Sequence, residues 1–455
     1  MNNEKMIDNP MGLLRPLYQK LRTSLFVKLL FVGAILLVCQ IPMLMIQGLT
    51  EHRQGLAGSV EREVAAKWGY EQKLVGPLLA IPLTQERSEK NKDGSVRNYT
   101  EHSLLFVVPD TLKVSATMTP LVRYRGIYEV MLYRSQVVVE GVFSEKLPIP
   151  EEWTAALDKA KLYLGLSDMV GLSDLQVDVD CSENKVQPGI DTSAAPFSSG
   201  ISIPVALPAE ATLPADGLRF KATFALNGCR NLSAVPIAKN TEIDLDSTWS
   251  NPSFDGDFLP VERNVGPDGF HASWKINEFN RNLPPSWMDY RDGRDLPLAG
   301  VNLLKPANVY AQVLRAVTYS ILIFLIVLMA FLIAERLTNT WMHPLQYFLA
   351  ALSLVLFYAL TLALSEHFAF SLSYWLAALA ITGLCVFYCA MIFRKKTAVA
   401  VLGAAVLLAY AVIFVLLRLE DYALLAGTLV MLALLAILMA MTGRINRPDE
   451  KHSSN

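Results

Sequence analysis

The chain has 455 residues, of which 53% are hydrophobic and only 18% are charged. A soluble protein of this length would hold about three domains, but long uncharged apolar runs indicate a membrane protein instead. The net charge of −2 excludes nucleic acid as an expected partner, because binding to nucleic acid needs a basic face.

The first apolar run, Leu29–Ile46, follows a start that carries Lys5, Arg15, Lys20, Arg22 and Lys28. The run is longer than the apolar core of a signal peptide, and the nearest small-x-small triplet, Gly55 to Ala57, lies too far beyond it. It therefore predicts an uncleaved transmembrane helix. The basic residues place residues 1–28 in the cytoplasm, because positive charge is retained on that side of the membrane.

Residues 47–315 are predicted to form a β-rich domain outside the cytoplasm, in the periplasm of a Gram-negative bacterium. Short strand-like runs separated by Pro, Gly, Asn and Asp favour antiparallel sheets in a sandwich-like fold. Thr241–Trp249 alternates polar and apolar residues as a half-buried strand does. The prolines of Lys73–Pro82 predict an edge strand or an extended connection. Asp93-Gly94 predicts a hairpin turn, and Pro150–Leu164 a helix.

A weak internal repeat lies in the same region. Leu112–Thr117 matches Leu218–Thr223, and Val137–Ser144 resembles Ile243–Ser250 at the same spacing. A fixed spacing predicts two related units. The alternative is chance similarity, because alternating strands resemble one another.

Five more apolar runs form a block over residues 316–441, and each can cross a hydrocarbon core of about 30 Å. They are Ala316–Ala334, Leu345–Leu364, Leu372–Phe393, Val399–Leu417 and Leu424–Met441. Six spans in all would put both termini, including the tail 442–455, in the cytoplasm. The basic residues of the predicted inner links and tail agree with this topology: Arg336, Arg394, Lys395, Lys396, Arg444, Arg447 and Lys451.

The six runs contain no Asp, Glu, Lys, Arg or His. Pumps and proton relays usually place such groups inside the membrane, so active transport is disfavoured. Glu335-Arg336 and Glu366-His367 lie at the ends of runs and are predicted to anchor them in the headgroup region.

The cysteines suggest no catalytic role. Cys39, Cys385 and Cys389 lie in predicted spans, and packing explains the i, i+4 pair better than metal binding does. Cys181 and Cys229 belong to the external domain. They form either a disulfide or two free thiols, and sequence alone cannot place their Cα atoms within bridging distance.

The other polar groups also predict no catalytic, cofactor-binding or metal-ligating residues. Asp255 and Asp257, and the run Asp289, Asp292 and Asp295, lack the complete calcium-loop pattern and are predicted to be solvated turns. The chain carries no hydrolase, nucleotide-binding or zinc-protease motif. A hydrolase would require His102 or His271 to cluster with a Ser and an Asp.

Four strings, in order along the chain, resemble the CreD family of bacterial inner-membrane proteins: Lys73–Pro82 (KLVGPLLAIP), Asn251–Pro260 (NPSFDGDFLP), His343–Tyr347 (HPLQY) and Leu364–His367 (LSEH). The resemblance implies a link to a two-component regulatory system, to colicin tolerance and to envelope or β-lactam stress. It implies no reaction and no catalytic residues. The N-terminal extension, Met1 to about Leu21, departs from the family pattern.

We therefore expect an α+β membrane protein with six transmembrane helices, one N-terminal and five C-terminal, around a periplasmic β-rich domain. We expect no enzymatic activity and no cofactor. The expected role is support of envelope integrity or stress response, with the lipid bilayer and an envelope protein or lipid as partners. The alternative is a passive or lipid-handling transporter gated by the domain. The sequence does not give the oligomeric state.

Overall fold

The computed structural model describes residues 25–90, 96–143, 146–180, 182, 185–208, 213, 217–288, 296–304, 309–338, 340–393, 395–419 and 423–443. The chain divides into two compact units: Met1–Leu56 with Ala307–Asn455, and Ala57–Pro306. Predictions that fall outside the described residues concern the start of the chain, the Asp93-Gly94 turn, Cys181, the acidic run 289–295, Arg394 and the tail 444–455.

The described helices, in chain order, are α1 (Leu25–Trp68), α2 (Glu278–Arg281, in the β-rich unit), α3 (Val309–Thr318), α4 (Ser320–Thr338), α5 (Pro344–Ser365), α6 (Phe370–Ile392), α7 (Lys396–Arg418) and α8 (Ala423–Gly443). Helix α1 is longer than the predicted span and continues without a break into the β-rich unit. In its first half, Leu37 and Leu44 are largely exposed, as expected for side chains that face lipid.

The number of spans differs from the predicted six. In the described part of the chain, four helices are long and apolar enough to cross a membrane: α1, α5, α6 and α7. A fifth span results if α3 and α4, which are bent by 49°, count as one. The apolar stretch described within α8, Leu425–Ile437, is shorter than a span. The prediction of six spans is therefore wrong for the described residues.

Hydropathy did not reveal the bend because the break lies inside an apolar run. The backbone N–H of Leu322 donates to the carbonyl of Tyr319, three residues earlier, at 3.1 Å. Such a tight turn interrupts the regular i to i−4 hydrogen bonds without changing the apolar character of the side chains.

The β-rich unit contains two sheets. The ten-stranded sheet comprises β1 (Gln72–Lys90), β2 (Val96–Val107), β5 (Thr154–Ala155), β6 (Ala160–Leu166), β8 (Gln187–Pro188), β9 (Gly200–Val205), β11 (Asn231–Ala234), β13 (Pro252–Gly256), β16 (Ser286–Met288) and β17 (Ala299–Leu303). The seven-stranded sheet comprises β3 (Thr111–Arg125), β4 (Tyr128–Phe143), β7 (Leu172–Val179), β10 (Leu218–Cys229), β12 (Asn240–Ser247), β14 (Glu262–Gly266) and β15 (Gly269–Asn277).

One hydrophobic core joins the two sheets. Leu162 and Val301 from the larger sheet and Phe224 and Trp274 from the smaller one belong to the same buried cluster. Most strand pairs are antiparallel, whereas β1 pairs with β11, and β3 with β12, in parallel. The alternating run at Thr241 is β12, whose residues are buried at every second position. The predicted β-rich, mainly antiparallel character is confirmed.

Three local predictions are wrong. Lys73–Pro82 lies inside the ten-stranded sheet, because the register of β1 against β6 shifts between Val75 and Leu78 and so accommodates Pro77. The predicted helix over Pro150–Leu164 is instead a short strand, a single 3-10 turn at Leu157–Lys159 and the buried strand β6. The predicted repeat does not form two units, because both copies contribute strands to the seven-stranded sheet of one compact unit.

The second half of α1 packs against the β3–β4 hairpin. Ala65 shares a buried cluster with Val130 and Leu132, and the Trp68 Nε1–H donates to the carbonyl of Tyr133 at 3.1 Å. Apolar burial and this hydrogen bond together fix the end of the helix on the seven-stranded sheet.

Candidate functional site

Glu335 is the centre of a buried polar cluster in the helical unit. Its carboxylate is 6% exposed and forms an ion pair with the Lys28 ammonium of α1. The Tyr347 hydroxyl donates to it at 2.5 Å, and the backbone N–H of Met342 donates at 3.3 Å. The Glu335 carboxylate is therefore covered by protein groups, which the sequence did not predict. A carboxylate with three partners can be buried, because each partner replaces part of the lost hydration.

A second ion pair joins α1 to the same unit. Arg53 Nε lies 3.3 Å from Glu366 Oε1, in the link between α5 and α6. Positions 28 and 53 are separated by about 37 Å of α-helix, which exceeds a hydrocarbon core of about 30 Å. The two pairs are therefore far enough apart to lie at opposite ends of a membrane span, and they connect α1 to the later helices at two levels.

The two ion pairs indicate the direction in which the bent helices α3 and α4 extend. The chain leaves α1 beyond Arg53, passes through the β-rich unit and enters α3. The far end of α4 then meets Lys28, at the opposite end of α1. If the α3–α4 pair counts as one broken span, the described part of the chain holds five candidate spans.

An aromatic cluster lies between α5, α6 and α7. The Phe357 ring centroid is 4.9 Å from that of Tyr358, 5.2 Å from that of Tyr374 and 4.5 Å from that of Tyr410. The Tyr374 hydroxyl donates to the backbone carbonyl of Tyr410 at 2.8 Å. The rings pack closely around Phe357, so this cluster leaves no lipid-sized path between the three helices at this level.

The two histidines considered in the sequence lie in different sheets. His271 Nδ1 lies 2.8 Å from Asp246 Oδ1, and both side chains are about half exposed on the seven-stranded sheet. Among the described residues, no serine or cysteine side chain hydrogen-bonds to this ring. His102 is exposed on β2, in the other sheet. The arrangement supplies an oriented base but no adjacent nucleophile.

Cys229 carries a free, buried thiol. Burial raises its pKa to about 12, and the nearby negative charges of Glu61 and Glu71 contribute in the same direction. A thiol with such a pKa stays protonated at neutral pH and is a poor nucleophile.

Asp191 forms a polar cluster that the sequence did not predict. Its carboxylate accepts hydrogen bonds from the Lys161 ammonium and the Tyr163 hydroxyl. These hydrogen bonds hold the pKa of Asp191 below its ordinary value, whereas burial, followed by the Asp191 carboxylate, raises the pKa of Tyr163. The cluster borders an open depression of about 830 Å³, and its charges compensate each other. This geometry fixes a loop to β6 and leaves no unpaired acid or base.

An apolar surface patch lies beside the edge strand β14. It consists of Leu259, Val261 and Val265, which are 79%, 65% and 47% exposed. The patch borders a depression of about 500 Å³ that Phe254 and Arg263 also line. Contiguous exposed apolar side chains on a soluble surface mark interaction sites.

The described residues include no group of three or more His, Cys, Asp or Glu side chains that could hold a metal ion. The residues singled out by the structure are those of the Glu335 cluster and the apolar patch. For the patch, the sequence gave one signal: Leu259 lies inside the NPSFDGDFLP string. For Glu335 it gave none, because the partner Lys28 is 307 positions away.

Fold and site together define a helical membrane protein with a β-rich unit inserted between its first and second spans. The family model "Inner membrane protein CreD" matches residues 24–447. "Inner membrane protein CreD" of Escherichia coli (strain K12) is 32% identical over 435 residues, which cover 95% of this chain and 94% of that protein. The chain belongs to the CreD family of inner membrane proteins, as the four strings predicted.

Proposed function

We propose that this protein is a non-enzymatic inner-membrane protein whose β-rich domain, on the periplasmic side, binds an envelope protein. Its role is to support envelope integrity or the response to envelope stress. The observation that carries the proposal is the apolar patch at Leu259, Val261 and Val265. The helical unit holds this domain at the membrane through α1.

The position of the patch favours a protein as the partner. Strand β14 pairs with β15 on one side and is the last strand of its sheet, so its other backbone edge is unpaired among the described strands. An extended peptide can add to such an edge through backbone hydrogen bonds, with neighbouring apolar side chains giving affinity. The Arg263 side chain in the same depression would select an acidic residue of that peptide.

The test is site-specific photo-crosslinking in living cells. A crosslinking residue at Val261 is compared with one at Val170, which is also apolar and 59% exposed but lies outside the patch. Capture of one envelope protein from position 261 and not from 170 supports the proposal. Equal capture from both positions, or none from either, refutes it.

Absence of enzymatic activity is part of the same proposal. It is supported by the isolated His271–Asp246 pair, which has no serine or cysteine hydrogen-bonded to it among the described residues. Purified full-length protein is assayed for turnover of envelope peptides, glycans and lipids. A turnover that His271→Gln abolishes, while the fold is retained, contradicts the proposal.

We also propose that the N-terminus lies in the cytoplasm. The support is the basic start of the chain, which ends at Lys28 at the inner end of α1. For the C-terminus two criteria disagree: the basic tail favours the cytoplasm, whereas five spans from a cytoplasmic start end outside. Fusions to alkaline phosphatase, which is active only in the periplasm, decide both. Activity of an N-terminal fusion contradicts our orientation, and activity of a C-terminal fusion supports five spans.

The alternative is a passive or lipid-handling transporter gated by the domain. Buried hydroxyl groups without partners between α5, α6 and α7 favour it, because polar groups inside a membrane often line a transport path. The packed rings around Phe357 count against a lipid-sized path. Transfer of a fluorescent lipid between leaflets of liposomes that hold the purified protein, faster than in empty liposomes, would favour this alternative.

A further inference from the structure

Four hydroxyl groups in the helical unit lack hydrogen-bond partners among the described residues. They belong to Tyr358, Ser365, Thr382 and Tyr410. Each residue is at most 6% exposed. An unpaired hydroxyl is costly anywhere in a protein interior, and a surrounding bilayer supplies no solvent to satisfy it. Buried polar groups in native proteins are almost always paired, with protein or with ordered water.

The four groups lie along one seam instead of being scattered. Helices α5 and α6 follow each other through a short link and are therefore antiparallel. Ser353 Oγ of α5 lies 3.4 Å from Cys385 Sγ of α6, which fixes the relative levels of the two helices. Tyr358 and Ser365 follow Ser353 along α5, and Thr382 lies one turn from Cys385 on α6.

The seam covers about a third of the membrane thickness. Tyr358 and Ser365 are separated by 7 positions, which is about 10 Å of helix within a hydrocarbon core of about 30 Å. Ser365 directly precedes Glu366, which forms an ion pair with Arg53 at one end of the apolar part of α1. The seam therefore begins near one membrane surface and extends inward between the helices.

The packing around the seam limits the size of any occupant. The Phe357 ring lies within 5.2 Å, centroid to centroid, of the rings of Tyr358, Tyr374 and Tyr410. A lipid or a sugar does not fit between rings at these distances. Hydroxyl groups both donate and accept hydrogen bonds, so the complementary occupant is a small neutral molecule with the same capacity. Water has that size and typically makes about three hydrogen bonds when buried.

We propose that bound water fills this seam between α5, α6 and α7, entering from the Ser365 end and completing the hydrogen bonds of Tyr358, Tyr410 and Thr382. The seam is then a hydrated half-channel between helices whose only charged residues, Lys396 and Arg418, lie at the two ends of α7. This inference concerns the helical unit alone and does not depend on the partner of the β-rich domain.

X-ray hydroxyl-radical footprinting of the full-length protein in lipid nanodiscs tests the proposal, because radiolysis labels side chains next to bound water. The internal controls are Phe324 and Phe331 of α4, which are completely buried aromatic residues like Tyr358 and Tyr410. We expect the two tyrosines to be labelled severalfold faster than the two phenylalanines. Equal labelling rates overturn the proposal.

A second measurement asks whether removing a tyrosine hydroxyl raises or lowers the midpoint of thermal unfolding. If the hydroxyls are dry, Tyr358→Phe and Tyr410→Phe remove an unsatisfied group and raise the midpoint of thermal unfolding. If they are hydrated, the same variants lose hydrogen bonds to water and lower it. Tyr374→Phe is the sensitivity control, since it removes the direct bond to the Tyr410 carbonyl. A rise in the midpoint for both test variants overturns the proposal, whatever the labelling shows.

Discussion

Removing the negative charge of Glu335 should loosen α1 from the helical unit. In Glu335→Gln the single amide oxygen can still accept from the Met342 N–H, whereas the amide NH2 faces the Tyr347 hydroxyl and can only donate to it, and Lys28 loses its counter-charge. Removing one partner of a buried ion pair costs about 3–5 kcal/mol, because the other charge remains uncompensated. Lys28 is 18% exposed and keeps partial solvation. We therefore expect a loss of about 2–3 kcal/mol in the free energy of unfolding.

The ion pair between Arg53 and Glu366 provides the matched comparison. Arg53 is 38% exposed, and its partner Glu366 is 15% exposed, so solvent screens their interaction more strongly. Arg53→Gln should cost about 0–1 kcal/mol, the range for pairs near the surface. The difference between the two variants follows from burial alone, because each removes one charge of an ion pair that involves α1.

The free energies are measured by unfolding full-length protein in mixed micelles with increasing sodium dodecyl sulfate, followed by tryptophan fluorescence. Lys28→Gln and the Lys28→Gln/Glu335→Gln double variant complete a cycle that isolates the pair. We expect a coupling of at least about 1 kcal/mol. Coupling below about 0.5 kcal/mol, or equal losses for Glu335→Gln and Arg53→Gln, would refute the reasoning from burial.

Three further outcomes are expected. Because burial raises its pKa to about 12, Cys229 of the folded protein should resist maleimide at pH 7 and react on denaturation; fast labelling of folded protein contradicts this. The pKa of Asp191 is lowered by its hydrogen bonds from Lys161 and Tyr163, so its contribution is present above the ordinary carboxyl value of 3.8 and lost as the pH falls through the lower folded value. Asp191→Asn should thus lower the unfolding midpoint at pH 7 and converge with wild type in acid, and a constant difference is inconsistent with this linkage. With the crosslinking residue placed at Leu259 instead, Val261→Asp should abolish capture from the patch while changing the free energy of unfolding by less than about 0.5 kcal/mol, because the Val261 side chain is 65% exposed; a large loss of stability would mean that the patch is structural.

The sequence by itself determined the class of the protein. A chain that crosses a bilayer core must supply long uncharged runs, and these are visible residue by residue at Leu29–Ile46 and in the later block. Strands with one buried face must alternate, as Thr241–Trp249 does. Both are local properties, so they needed no knowledge of what each segment contacts. The four strings likewise identified the family before any fold was known.

The tertiary structure decided what depends on partners. Pro77 lies in an interior strand because a register shift against β6 removes the need for its missing N–H. The end of the predicted helix Pro150–Leu164 lies in strand β6. This strand forms because it pairs with β1 on one side and β9 on the other, which outweighs the local helical signals. The sequence predicts only that Glu335 is a charge at the boundary of a span. The fold shows that Lys28, 307 positions earlier, lies beside it. Hydropathy sums over neighbours in sequence, whereas burial and pairing are set by neighbours in space.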